Sequence, residues 1–224
     1  MGHLMRKRRV YHFCNREFGL ENIKLRRVKV STFCSLNDPF ELLCHNASNE
    51  VLRRNLQLFK EDVSLKHGII CFSRARTSPV QWAHYSERHT GVCLGFDVPE
   101  DFVMDVVYTD KRLEFVFDAE GFDGNPNSPG MQAFLTKYKH WSYEKEVRMF
   151  GSLGKPDPVS GLHFQSFNES FVLKEVAIGF NSSINRSDLV DCLGDLASRV
   201  DCYKVRPAFT SYNMVRNKDG SLWK

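Results

Sequence analysis

Apolar positions in this chain come mostly in short runs, and only a few stretches carry helical spacing. Val51, Leu52, Leu56, Phe59 and Val63 recur near every third or fourth position, so residues 50–64 predict an amphipathic helix. Residues 10–14, 68–73 and 91–98 are brief apolar runs of the kind that form buried strands. Further strands are predicted at 24–30, 104–108, 171–180, 201–205 and 209–215, with a helical turn at 17–23. Ser78-Pro79 opens a helix, with a serine cap and proline at the first helical position, that ends before Gly91. Residues 131–141 and 187–200 predict two more helices, the second capped by a serine. Asn37-Asp38-Pro39 is a turn, because the residue before proline avoids the helical region. Residues 118–130 and 155–161 hold Gly, Asn, Asp and Pro and read as loops, and 217–224 as a frayed tail. Strands outnumber helices and few βαβ units repeat. The expected fold is α+β: one domain over residues 1–224, with a mostly antiparallel sheet flanked by helices.

Composition narrows the class. A hydrophobic content of 42% and a charged content of 26% are ordinary for a globular protein. No apolar run approaches the ~20 residues of a membrane span. The basic run Arg6 to Arg9 leads into no long apolar stretch, so no signal peptide is expected, and residues 1–5 read as an expression scar with Met5 as the natural start. Seven scattered cysteines without a Cys-x-x-Cys read as reduced thiols in a cytoplasmic protein, and no metal site is expected. The net charge of +4 is concentrated, since nine of the first thirty residues are Lys or Arg. That basic segment suits a phosphate-bearing partner such as nucleic acid, or is an ordinary solvated surface. Gly-x-Gly-x-x-Gly, Walker A and His-Glu-x-x-His motifs are absent.

The densest chemistry lies in Trp141-Ser142-Tyr143-Glu144-Lys145-Glu146-Val147-Arg148. On a strand, Glu144, Glu146 and Arg148 project from one face. Two carboxylates and a guanidinium side by side are poor core material, so the row is expected to face a cleft, a ligand or water. The same pattern also describes the solvated side of an antiparallel strand. Two further clusters are Tyr11-His12 on the first strand and Cys71-Phe72-Ser73 followed by Trp82-Ala83-His84-Tyr85. Each of these has a structural reading as core aromatics or a strand end.

Five motifs in order, Leu36-Asn37-Asp38-Pro39-Phe40-Glu41, Cys71-Phe72-Ser73, Trp82-Ala83-His84-Tyr85, Gly91 to Asp97 and Trp141 to Arg148, resemble a bacterial family of unknown function that includes AbiGi-type abortive-infection proteins. That resemblance implies a cytosolic, defence-linked protein. The spacing of the three clusters also resembles ADP-ribosyltransferases, which implies a split sheet and NAD as substrate. On that resemblance His12 takes the first-strand position, Ser73 the second and Glu146 the catalytic third, with Glu144 facing the acceptor. Tyr11, Tyr85 and Arg148 complete the NAD-binding set. A ring stacks on nicotinamide, and a carboxylate stabilises the oxocarbenium-like charge as the glycosidic bond breaks. The first-strand Arg, the Ser-Thr-Ser triplet and a His-Gly-Thr are missing.

The leading expectation is therefore a toxin-like effector that transfers ADP-ribose to nucleic acid or protein, with an antitoxin as a further expected partner. A non-catalytic nucleotide- or nucleic-acid-binding module is the alternative. A nuclease using Asp38, Glu41, Glu144 and Glu146 to hold a divalent metal is a third reading, disfavoured because no lysine stands paired with those carboxylates in the sequence.

Overall fold

In the computed structural model, described for residues 6–114, 125 and 127–223, strands and helices alternate in short pieces. The first half runs β1 (Lys7–Cys14), α1 (Arg16–Lys24), β2 (Arg27–Val30), α2 (Glu50–Lys66), β3 (His67–Ser73), α3 (Pro79–Tyr85), β4 (Val92–Pro99), β5 (Met104–Asp105) and β6 (Val107–Thr109). The second half runs α4 (Pro129–Leu135), β7 (Thr136–Tyr138), β8 (Glu146–Ser152), β9 (His163–Ser166), β10 (Val172–Ile178), α5 (Arg186–Leu193), β11 (Asp201–Pro207) and β12 (Met214–Arg216). The class is α+β and most strand pairs are antiparallel, as the patterning predicts. No helix among the described residues is long and apolar enough to cross a membrane. The expected scar at residues 1–5 lies outside the described residues, as does most of the expected loop at 118–130.

The chain gathers into two compact units. The first holds residues 1–28, 72–101 and 165–224. Its strands lie in the order β12-β11-β10-β4-β1, with the end of β3 beside β1 at the Tyr11–Ser73 register. β10 and β11 are parallel and joined through α5, as a crossover connection requires. Apolar side chains fill both faces: Val10, Leu94, Phe96 and Val176 on one, Trp82, Cys93, Ala177 and Val205 on the other.

The second unit holds residues 29–71 and 102–164. Here the start of β3 lies beside β8, and β8 beside β5, while β6 and β7 pair in parallel. Its core is Phe33, Leu42, Val63, Ile69, Met131 and Phe134. Asn49 caps α2, its side chain accepting from Val51 and Leu52 N–H groups. The buried side of α2 is Leu56, Lys60 and Val63, so Val51, expected on the core side, points outward.

Several elements differ from expectation. The helix predicted over 131–141 stops at Leu135, because residues 136–138 pair with β6 and 139–144 form a 3₁₀ turn. The helix predicted over 187–200 is capped by Asn185, not by a serine, and stops at Leu193. Gly194, at φ +52, supplies the left-handed turn that ends it. The tail is not frayed where described: Trp223 is buried and its indole N–H donates to the Ile184 carbonyl at 2.9 Å.

Candidate functional site

The expected site residues divide between the units. Tyr11, His12, Ser73 and Tyr85 belong to the first, and Glu144, Glu146 and Arg148 to the second.

In the second unit, Glu146 and Arg148 sit two residues apart on β8 and share a face, as expected. Glu144 does not lie on the strand. It ends the 3₁₀ turn, and Lys145, at φ +47, carries the chain through the left-handed region into β8. The expectation of a cleft or solvent face is overturned. Glu144, Glu146 and Arg148 are 5%, 3% and 0% exposed, which rules out a solvated strand face as well.

Two partners from outside the motif make this burial tenable. The Asn37-Asp38-Pro39 turn, locked by the Asp38 carboxylate accepting from Phe40 N–H at 2.9 Å, delivers Glu41. Arg148 holds Glu41 through a two-pronged fork at 2.7 and 2.8 Å, and its Nε donates to Glu146 at 2.9 Å. Lys137, from β7, donates to Glu144 at 2.6 Å and to Glu146 at 3.2 Å. Tyr108 accepts the Glu146 backbone N–H at 2.7 Å. Three carboxylates thus enclose two cations, leaving a formal charge of −1 on the five groups.

Electrostatics follow from that arrangement. Burial pushes the Glu146 carboxyl upward, but Arg148 and Lys137 outweigh it and hold the group at about 2. Burial pulls Lys137 down, and Glu146 and Glu144 more than reverse this, so the ammonium is held charged. Burial likewise opposes the charge on Arg148, which Glu41 and Glu146 restore and strengthen. Burial raises the Cys71 thiol, reinforced by the nearby Glu146 charge. The lysine judged absent from the sequence is therefore present, in contact with two carboxylates. Among the described residues no group of three or more His, Cys, Asp or Glu is placed to hold a metal ion.

A cavity of about 360 Å³ opens beside the cluster. Lys137 lines it, together with Lys111, Arg112, Thr109, Thr136, Phe40 and Tyr138. Arg112 lies over the Phe40 ring at 4.8 Å, and its Nη1 donates to the Leu43 and His45 carbonyls. The wall, to which Asp110 also belongs, thus offers three cations, one carboxylate, three hydroxyls and two aromatic rings.

In the first unit Tyr11 is the register partner of Ser73, so the two share a face. His12 takes the opposite face, its ring edge-on to Phe72 at 5.9 Å. His12 and Ser73 therefore do not converge, and Tyr11 is the first-strand residue on the serine's side. The Ser73 hydroxyl is spent locally, donating to the Ala75 carbonyl at 2.8 Å and accepting from the Ala75 N–H at 3.1 Å. Tyr85, at the end of α3, meets His84 edge-on.

The Tyr11 face also carries a second ionic group that sequence reading missed. A bulge in β10 between Leu173 and Glu175 sets Glu175 opposite Gly95. Glu175 accepts from Arg9 at 3.1 Å, from Arg76 and from the Tyr203 hydroxyl. Burial and the Glu175 hydrogen bond push the Tyr203 phenol upward. Gly95 has no alternative here, since a Cβ would stand 2.8 Å from that of Glu175 and 3.3 Å from the Tyr11 ring.

The basic N-terminal segment is largely engaged within the chain. Arg6 pairs with Glu100, Arg9 with Asp97 and Glu175, Arg26 with Asp195 and Arg27 with Glu21.

Residues 81–149, from Gln81 on α3 to Met149 on β8, match the sequence model of DUF2971, a family described as a protein of unknown function. No curated protein and no solved structure matches the chain.

Proposed function

We propose that the second unit binds a nucleotide in its cavity and that the chain uses NAD as substrate for ADP-ribosyl transfer. One observation carries the reading: Lys137 lines the cavity and at the same time bridges Glu144 and Glu146. A phosphate entering beside Lys111 and Arg112 competes for the Lys137 ammonium, and Phe40 and Tyr138 offer faces for a planar ring. About 360 Å³ is near the small end of ligand pockets, so it suits one nucleotide half of NAD, with the other half toward the opening.

When the lysine turns to phosphate, the carboxylates behind it gain access to the ribose. Glu146, ionised at any working pH, suits stabilisation of the oxocarbenium-like charge and is too weak a base to take a proton. Glu144 takes the base role. The bond from the ribose anomeric carbon to the pyridinium nitrogen breaks, and nicotinamide leaves with the electron pair. The acceptor oxygen or nitrogen bonds to that carbon, and its proton passes to Glu144.

The resemblance to abortive-infection proteins supports an effector role in phage defence, with nucleic acid as acceptor and an antitoxin as restraint. The test pairs calorimetric titration of NAD, ADP-ribose and AMP with nicotinamide release, on wild type and Glu146→Gln. Binding with Glu146-dependent release is expected. Binding without release leaves a nucleotide-binding module and sinks the transfer step. Absence of binding to folded protein at millimolar ligand removes both.

A further inference from the structure

Helix α2 has two apolar sides. Leu56 and Val63 are buried, while Val51, Leu58 and Leu65 are 67%, 54% and 79% exposed. At seven-residue spacing an α-helix drifts by only about 20° per step, so these three form one stripe along the helix, opposite the buried side. Single exposed apolar residues are ordinary. A row at this spacing is the seam by which helices pair. The flanking charges are ordered too. Arg54 and Glu61 lie on one flank, before and after Leu58, and Gln57 orients Glu61 along the helix at 2.9 Å. Asn55 and Asp62 lie on the other flank.

We propose that α2 is a self-association surface, pairing antiparallel with α2 of a second copy of this chain about a two-fold axis at Leu58. Under that symmetry Leu58 meets its own equivalent, Val51 meets Leu65, and each Arg54 faces Glu61 across the seam. A parallel pair would bring opposite flanks together, leaving each Arg54 beside Asn55 and setting each Glu61 against Asp62 of the other copy, so the charge order selects the antiparallel arrangement. The helix has 17 residues and is about 25 Å long. One helix per copy buries less than the ~1,200 Å² of a standard interface, so the dimer is weak and reversible.

Sedimentation equilibrium of the full chain, from about 5 to 200 µM, reads this weak class of association directly. The weight-average mass is expected to rise from 25.9 kDa toward twice that value. Leu58→Asp sets two carboxylates face to face and leaves a monomer at every concentration. Arg54→Glu weakens the dimer by about tenfold or more, and adding Glu61→Arg restores it. All three side chains are exposed, so the fold is retained, with far-ultraviolet circular dichroism as the control. A wild type that stays monomeric throughout, a dimer indifferent to Leu58→Asp, or a double reversal that fails to restore it each overturns the proposal.

Discussion

Replacing Arg148 by Met tests whether the buried ionic cluster holds the second unit together. The side chain is fully buried and faces Glu41 and Glu146 at hydrogen-bond distance. Met fills similar space but leaves two carboxylates without their shared cation. Removing one partner of a buried pair costs about 3 to 5 kcal/mol, a large part of the ~5 to 15 kcal/mol that stabilises a typical domain. At about 2 to 4 °C per kcal/mol for a chain of this size, the melting temperature should fall by roughly 6 to 20 °C. The effect has a pH signature. In the wild type Glu146 is depressed from 4.5 to about 2. Its contribution, on the order of 3 kcal/mol, is therefore present above pH 4.5 and lost as pH falls toward 2. Without Arg148 only Lys137 is left among the cations to oppose burial, so the carboxyl rises from its wild-type position and protonation relieves the variant as pH falls. Urea unfolding at pH 7 and pH 4 should give a larger wild-type-to-variant difference at pH 7. A loss below about 1 kcal/mol at pH 7, or a difference that does not shrink on acidification, refutes the reasoning. Replacing Glu41, Glu146 and Arg148 together by Leu, Leu and Met should be closer to neutral, since no buried charge is stranded.

Gly95→Val forces a side chain against Glu175 and Tyr11 and should cost about 1 to 3 kcal/mol, read as a lower urea midpoint with unchanged slope. Tyr203→Phe removes a donor from the buried Glu175 carboxylate and should cost about 1 to 3 kcal/mol by the same measurement; a neutral result would mean that Arg9 and Arg76 suffice. Asn185→Ala deletes the cap that accepts from Asp188 N–H at 2.7 Å. It should lower stability by about 1 kcal/mol in thermal melts, while Asn185→Ser should not. Lys137→Met should weaken ADP-ribose binding at least about tenfold in calorimetry, and unchanged affinity would detach the lysine from the cavity's chemistry.

Elements whose signals are local were legible in the sequence. The 17 residues of α2, the Ser78-Pro79 start of α3 and the apolar runs of β3 and β4 all carry their own spacing or caps. What failed was set by pairing at a distance. Residues 136–138 continue a helical pattern, yet they gain more as a strand against β6. Glu144, Glu146 and Arg148 read as a solvent or cleft face because a window around them shows one guanidinium against two carboxylates and not the partners that complete the cluster. Glu41 lies 107 positions from Arg148, and Lys137, only 9 from Glu146, was hidden inside the predicted helix. Register decides the choice between Tyr11 and His12: neighbouring residues on a strand face opposite ways, and only pairing with β3 reveals which shares the side of Ser73.

The burial of the cluster bears on function as well as stability. Enclosed ion pairs seldom stabilise a fold more than apolar packing would, so three carboxylates and two cations need another reason to occupy this interior. Their placement supplies one. Arg148 ties the 37–41 turn to β8, and Lys137 ties β7 to both the 139–144 turn and β8, so the walls that frame the cavity are fixed relative to one another. On the proposed nucleotide-binding reading, a ligand phosphate that draws Lys137 away meets a site whose remaining charges are already oriented, because Glu146 keeps Arg148. The cost of organising the site falls on folding rather than on binding. That is the arrangement expected of a pocket that must act on its ligand's charge, and it is why the Lys137 and Arg148 variants should separate. Loss of either cation strands buried carboxylates and should lower stability, and loss of Lys137 should in addition lower ligand affinity.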